Sequence, residues 1–211
     1  MMSIKTWATI ISSTKSYYST QPKDASGYGL KDKLFFAESI KYLEQMQQPF
    51  YTKFITVTNH IPFNLDKEDQ DPNFKTTNTT DQTINNYFVT AHYLDEAIHE
   101  FFNYLKSSGL YKNTMVVIYG DHYGLSNSEN ETLAPIIGES SDTWNTYNNV
   151  QMQRVPFMIH ANNLKGQINH EVGGEIDVLP TLLHLLGVNT KDYVQFGNDL
   201  LSPHRQNLGS L

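Results

Sequence analysis

The sequence predicts an α/β fold, a mainly parallel sheet flanked by helices, on three observations. Residues 115–119 (MVVIY) form a short, continuously apolar run rich in β-branched side chains, as in a strand buried on both faces of a parallel sheet. Residues 50–58 (FYTKFITVT) form a second such run, strongest over 54–57. Between them lies the clearest helical period in the chain, which gives strand, helix, strand with a crossover long enough for parallel pairing.

Taken in order, residues 1–32 are rich in Ser, Thr, Lys and Tyr and show no period; they read as a long irregular connection, uncommon in a compact domain. Asp32 is placed to cap a helix whose apolar stripe is Leu34, Phe35, Ala37, Ile40, Leu43 and Met46, and Pro49 stops it. The 50–58 strand follows and runs into Asn59 and His60, after which Ile61, Pro62 and Phe63 turn the chain away. Residues 64–80 are polar, hold Pro72 and lack periodicity, which reads as a solvated surface loop or, less simply, a lid. Asp81 opens the long helix, traced by Ile84, Tyr87, Phe88, Ala91, Leu94, Ala97, Ile98, Phe101, Phe102 and Leu105 and closed by Gly109. His92 and His99 lie on it beside acids and read as surface residues.

After the 115–119 strand, residues 127–150 are polar with one apolar segment at 133–137 and are expected to fold over the strand ends. Residues 155–160 (VPFMIH) make a strand whose Pro156 marks an entry position or an edge, and His160 ends it without further chemical context. In residues 170–187 (HEVGGEIDVLPTLLHLLG), Gly173 and Gly174 permit close approach, Asp177 is placed to cap, and Leu179, Leu182, Leu183 and Leu186 supply a core face with His184 packed among them. The remainder reads as a peripheral cap and tail. We expect residues 1–211 to form part of a single domain.

Composition narrows the function. With 39% hydrophobic residues, 13 Tyr and 11 Phe, the chain is expected to fold rather than remain disordered. A net charge of -7 without a Lys/Arg-rich run argues against a nucleic-acid partner. The absence of cysteine removes disulfides and thiolate metal sites. No apolar run approaches the roughly 18 residues of a membrane span, and the first residues lack the apolar core of a signal peptide.

The chemistry concentrates at two strand ends. Gly120 breaks the 115–119 strand, and Asp121 and His122 follow directly, a hard oxygen and nitrogen pair suited to a divalent metal. His60 occupies the corresponding place after the other strand. In an open α/β sheet, the crevice outside the carboxyl ends of the strands is where ligands bind, so these three residues are expected to share one rim. His170, just before the glycine pair, is a weaker candidate for an extra ligand or a phosphate contact.

The stretches TVTNHIPF (56–63), VIYGDHYGLS (117–126) and RVPFMIH with GGEIDVLPTLLHLLG, in this order and spacing, resemble the extracellular catalytic domain of the lipoteichoic acid synthase family, phosphoglycerol transferases of the sulfatase and alkaline phosphatase superfamily. The resemblance runs from about Tyr28 to Gly187. It implies that Asp121 and His122 are ligands of a divalent cation, usually manganese with magnesium or zinc as substitutes, and that His60 contacts glycerol phosphate. It also implies transfer of glycerol phosphate from phosphatidylglycerol to a growing polyglycerolphosphate chain through a phospho-threonine, at the extracellular face of a Gram-positive cell membrane. The family's nucleophilic threonine and an acidic metal ligand lie upstream of the matched region. No motif supports Thr58 as a substitute, so no catalytic nucleophile is assigned. The chain therefore reads as the C-terminal portion of a sulfatase-like domain whose N-terminal part is missing, inactive by itself, with an exposed sheet edge that favours self-association. The competing readings are a sulfatase or phosphodiesterase of the same superfamily and a non-catalytic binding module that kept the fold.

Overall fold

The long helix forms for the reasons its sequence gives. The Asp81 side chain accepts hydrogen bonds from the Thr83 and Ile84 amides (2.8 and 3.3 Å), and Gly109, at φ +80°, ends the chain's helical course in the left-handed conformation that glycine adopts without strain. A computed structural model describes Tyr18 and residues 21–203, so most of the irregular stretch expected over 1–32 and the end of the tail lie outside the described residues. The elements in order are β1 (Ala25–Ser26), β2 (Gly29–Leu30), α1 (Asp32–Leu43), α2 (Gln82–Ser107), β3 (Val116–Tyr119), α3 (Asn130–Leu133), α4 (Thr146–Gln151), β4 (Phe157–His160) and α5 (Val178–Leu185). Among the described residues no helix is long and apolar enough to cross a membrane. Replacing Asp81 with alanine should lower stability by about 1 kcal/mol, seen as a fall of about 3 °C in the thermal midpoint.

The chain divides into two compact units at Asn162 and Asn163. In the first, α1 and α2 pack through aromatic rings: Phe36 stacks on Phe101 (4.9 Å between centroids) and Phe54 meets both edge-on at 5.3 and 5.5 Å. Such contacts add roughly 1 kcal/mol each beyond the area they bury. A second core under the loops that follow Thr58 and Tyr119 is made by Phe63, Ile84, Leu125 and Leu133, with Tyr87, Phe88, Ile136 and Met152 packed against it. The apolar segment expected at 133–137 contributes Leu133 and Ile136 to this core.

The α/β character predicted from sequence holds, but the pairing differs from expectation. β3 pairs with β4 antiparallel, Val116 opposite His160 and Tyr119 opposite Phe157, and β1 pairs with β2 antiparallel. Residues 50–58, expected as a strand, carry no regular structure, so the parallel ladder expected between them and β3 is absent among the described residues, and β3, expected to be buried on both faces, is half-buried with Tyr119 exposed. The physical reason lies in Asp32. It is the first residue of α1 and does not cap that helix; its fully buried carboxylate instead accepts from the amides of Val57 (2.9 Å) and Thr58 (3.3 Å), and its own amide donates to Thr58 Oγ1 (2.9 Å). The backbone donors at the end of the 50–58 segment are thus satisfied by a side chain rather than by a neighbouring strand. Pro156 stands just before β4, as its missing N–H requires, and its carbonyl accepts the Gly120 amide (3.1 Å).

In the second unit, the Asp177 carboxylate accepts from the Gly174 and Asn198 amides (2.9 and 2.6 Å) rather than capping α5. Leu179 and Leu186 are exposed, so the core face expected for this helix is realised only in part; the buried residues are Pro180 and Thr181. His184, expected within the core, is exposed and pairs with Asp199 (2.6 Å).

Candidate functional site

The loop carrying His60 is held from below at three points. Thr58 is fully buried, its Oγ1 accepting from the Asp32 amide, which keeps the hydroxyl away from any substrate. The Thr90 hydroxyl of α2 donates to Asn59 Oδ1 (2.8 Å). Past His60, the Phe63 amide donates to the His60 carbonyl (2.8 Å) and Phe63 sits at φ +57°, a left-handed conformation that is strained for a bulky residue by about 1–2 kcal/mol. Burial of its ring, which is 2% exposed and lies edge-on to Tyr87 at 5.4 Å, holds it there.

The Asp121 and His122 loop rests on the same helix. At both flanking glycines a side chain has no room: a Cβ on Gly120 would come within 2.8 Å of Val155 Cβ, and one on Gly124 within 2.4 Å of Tyr87 Cε2. Leu125, next in the chain, enters the core beside Phe63. One residue of α2, Tyr87, therefore touches both loops, and burial pushes its phenol pKa up.

These loops bring the three expected residues together. The His60 and His122 rings lie perpendicular with centroids 5.5 Å apart, and Asp121 Oδ1 is 3.7 Å from His122 Nε2. His60 Nδ1 faces the Ile61 carbonyl (2.9 Å) and His122 Nδ1 faces the Tyr123 carbonyl (2.8 Å). A carbonyl only accepts, so in each neutral ring the proton sits on Nδ1 and Nε2 carries the lone pair. At His122 that lone pair faces the Asp121 carboxylate: acceptor against acceptor, at a spacing that a cation between them would satisfy. The Asp121 and His122 side chains are 75% and 54% exposed, so the pair is open to solvent and to a ligand.

Of the other histidines, His170 belongs to the second unit, exposed in a stretch without regular structure. His160 stacks on Tyr111 (4.5 Å) and serves packing, and His99 is exposed. His92 departs from expectation: it is only one-quarter exposed and lies 3.3 Å from Asp71 and 3.7 Å from Glu96. Tyr28 is a further residue of the site region that periodicity does not reveal. It stands 5.4 Å from His60 with its ring perpendicular, presented by the two-residue turn between β1 and β2. The available signal was the pair of glycines around it: Gly27 takes φ +55°, and a Cβ on Gly29 would press on Val57 at 3.1 Å.

Comparison with known proteins places the chain in a family. The sequence pattern of the Sulfatase family matches residues 5–188. The chain is 49% identical over 192 residues to lipoteichoic acid synthase 2 of Bacillus subtilis (strain 168), spanning 90% of this chain and 29% of that protein. It is 43% identical over 187 residues to lipoteichoic acid synthase of Staphylococcus aureus (strain USA300), spanning 89% of this chain and 28% of that one. The chain thus covers less than a third of the length of these relatives. Among solved structures, a protein in the alkaline phosphatase superfamily from Vibrio parahaemolyticus superposes with a TM-score of 0.61 at 21% identity, over 88% of this chain and 40% of that chain. At that identity the likeness concerns the fold, which is the sulfatase and alkaline phosphatase type the sequence resembles.

Proposed function

Because the chain belongs to the sulfatase family, we propose that it forms part of a phosphoglycerol transferase whose metal-side residues are Asp121 and His122 and whose phosphate contact is His60. The observation that carries this reading is the 5.5 Å approach of His60 to His122, with both Nε2 atoms left available by their Nδ1 partners. The donor types suit manganese or another divalent cation, which when bound polarises phosphoryl oxygens and lowers the pKa of a coordinated hydroxyl. His60 orients the phosphate: neutral, its Nε2 accepts the proton of the attacking hydroxyl; protonated, it donates to a phosphate oxygen or to the departing oxygen. The substrate class is a glycerol phosphate ester, phosphatidylglycerol as donor and a polyglycerolphosphate chain of lipoteichoic acid as acceptor, handled at the extracellular face of the membrane. No residue of this chain is assigned the family's nucleophilic role, Thr58 being buried, so we expect no transfer by the 211-residue chain alone.

Calorimetry tests these roles. Manganese should bind the chain with a dissociation constant above about 1 μM, because two protein ligands hold a cation less firmly than three or four. His122→Ala should weaken that binding. In the presence of manganese, glycerol phosphate should bind wild type, whereas His60→Ala should lose glycerol phosphate while keeping the metal. Sub-micromolar manganese affinity, or glycerol phosphate binding indifferent to His60→Ala, would overturn the assignment. Tighter binding of a sulfate ester than of glycerol phosphate would favour a sulfatase. Release of glycerol phosphate from phosphatidylglycerol vesicles by this chain, lost on His122→Ala, would show that it contains its own nucleophile.

A further inference from the structure

Asp71, His92 and Glu96 form a cluster that the reading above does not use. One donor atom from each lies within 4.8 Å of the other two, beside a cavity of about 90 Å³ that Asp69, Phe74 and Tyr93 also line. His92 and Glu96 are one helical turn apart on α2, the spacing that puts two side chains on one face. Asp71 comes from the aperiodic loop that the sequence leaves as a solvated excursion or a lid.

The two carboxylates are each anchored by the oxygen they do not offer, and the imidazole by stacking. The Asn73 amide donates to Asp71 Oδ1 (2.8 Å), leaving Oδ2 toward His92. Lys33 Nζ donates to Glu96 Oε2 (3.0 Å), leaving Oε1 toward His92. The His92 ring is clamped flat against Phe74, with centroids 4.0 Å apart and planes 6° from parallel, so that Nε2 points at both carboxylates. The distances from Nε2, 3.3 Å to Asp71 and 3.7 Å to Glu96, bracket the edge of about 3.4 Å that a tetrahedron has when its ligands lie about 2.1 Å from a central zinc. Fixing a ligand through its second atom is how outer partners hold a metal site in shape.

We propose that Asp71, His92 and Glu96 bind a zinc-class divalent cation, with water completing the coordination, and that this ion pins the 64–80 loop to α2. The site is independent of Asp121 and His122. It is structural in role, since it fastens the loop to the helix whose Tyr87 and Thr90 hold the His60 loop in place.

The test uses the full 211-residue chain carrying Asp121→Ala and His122→Ala, so that failure of the transferase reading leaves it intact. Zinc chloride titrated calorimetrically should bind one ion per chain with a dissociation constant of about 10 μM and raise the thermal midpoint. Adding His92→Ala should abolish this binding, and adding Asp71→Asn should weaken it by about tenfold or more. His99→Ala, which alters an exposed histidine of the same helix, should leave it unchanged. Absence of zinc binding in the doubly substituted chain, or binding that survives His92→Ala, overturns the proposal. Should His92→Ala fail to fold, an Asp71→Asn variant with a wild-type midpoint in chelator and unaltered zinc affinity overturns it equally.

Discussion

Replacing Asp32 with alanine is expected to lower the unfolding free energy by about 4 kcal/mol and to loosen the loop that presents His60. The carboxylate is fully buried and meets the Val57 and Thr58 amides, so alanine leaves one buried and one half-buried donor without partners, each costing about 1–3 kcal/mol, and opens a small void. Urea denaturation at pH 7 measures the loss. Asp32→Asn should fall between the two, because its oxygen keeps the Val57 hydrogen bond while its amide nitrogen turns a donor toward the Thr58 N–H. The pH dependence has a definite sign. Burial pushes the Asp32 carboxyl above its ordinary value of 3.8, against the opposing pull of the Val57 and Thr58 amides, so the folded chain holds a proton that the unfolded chain releases. Stability from this group is fully present below 3.8 and is lost as pH rises through the elevated folded value. The alanine variant lacks that slope. The stability gap between wild type and Asp32→Ala should therefore widen on acidification; a gap that narrows would mean that the amides, not burial, set the protonation of this carboxyl.

The same residue illustrates where sequence reasoning ends. An acid two residues before an apolar helical stripe reads as a cap, and nothing local says that its side chain will reach residues 25 and 26 positions further on. Periodicity reports which face of an element is buried, not what covers it. That is why the 82–107 helix, its Asp81 cap and its Gly109 stop were legible, while the partner of residues 50–58 was not. The candidate site was legible for a different reason. His60 follows one apolar run after Asn59, and Asp121 and His122 follow the other after Gly120; each loop is then drawn onto the 82–107 helix, through Phe63 and through Gly124 and Leu125, which brings the three together although the two runs do not pair. His92 was hidden because its partner Asp71 sits 21 residues upstream in a loop without period, and because a histidine between acids on a helix is ordinarily solvated. Leu179 and Leu186 failed in the opposite sense: a correct apolar period on α5 did not guarantee burial.

Gly124→Ala should have the second large effect, and it falls on the site rather than on the fold as a whole. The added Cβ would stand 2.4 Å from Tyr87 Cε2, with Cζ and Cδ2 at 3.2 and 3.3 Å, a clash with the edge of a ring rather than with the end of a flexible chain. The ring is itself packed edge-to-face with Phe63 and Phe88, at 5.4 and 5.6 Å between centroids. The loop must yield instead, drawing Leu125 out of the core and moving Asp121 and His122 away from His60. Overpacking of this kind costs about 1–3 kcal/mol. Displacement of a ligand pair by a fraction of an ångström should cost at least about tenfold in manganese affinity, as positioning errors of that size commonly do. Zinc binding at Asp71, His92 and Glu96 should be untouched, which separates local displacement from general unfolding. Tyr87→Leu removes the obstructing ring, so a double-mutant cycle should show the two substitutions to be less than additive. Full additivity, or unaltered manganese affinity in Gly124→Ala, would mean that the contact with α2 does not set the position of the Asp121 and His122 pair.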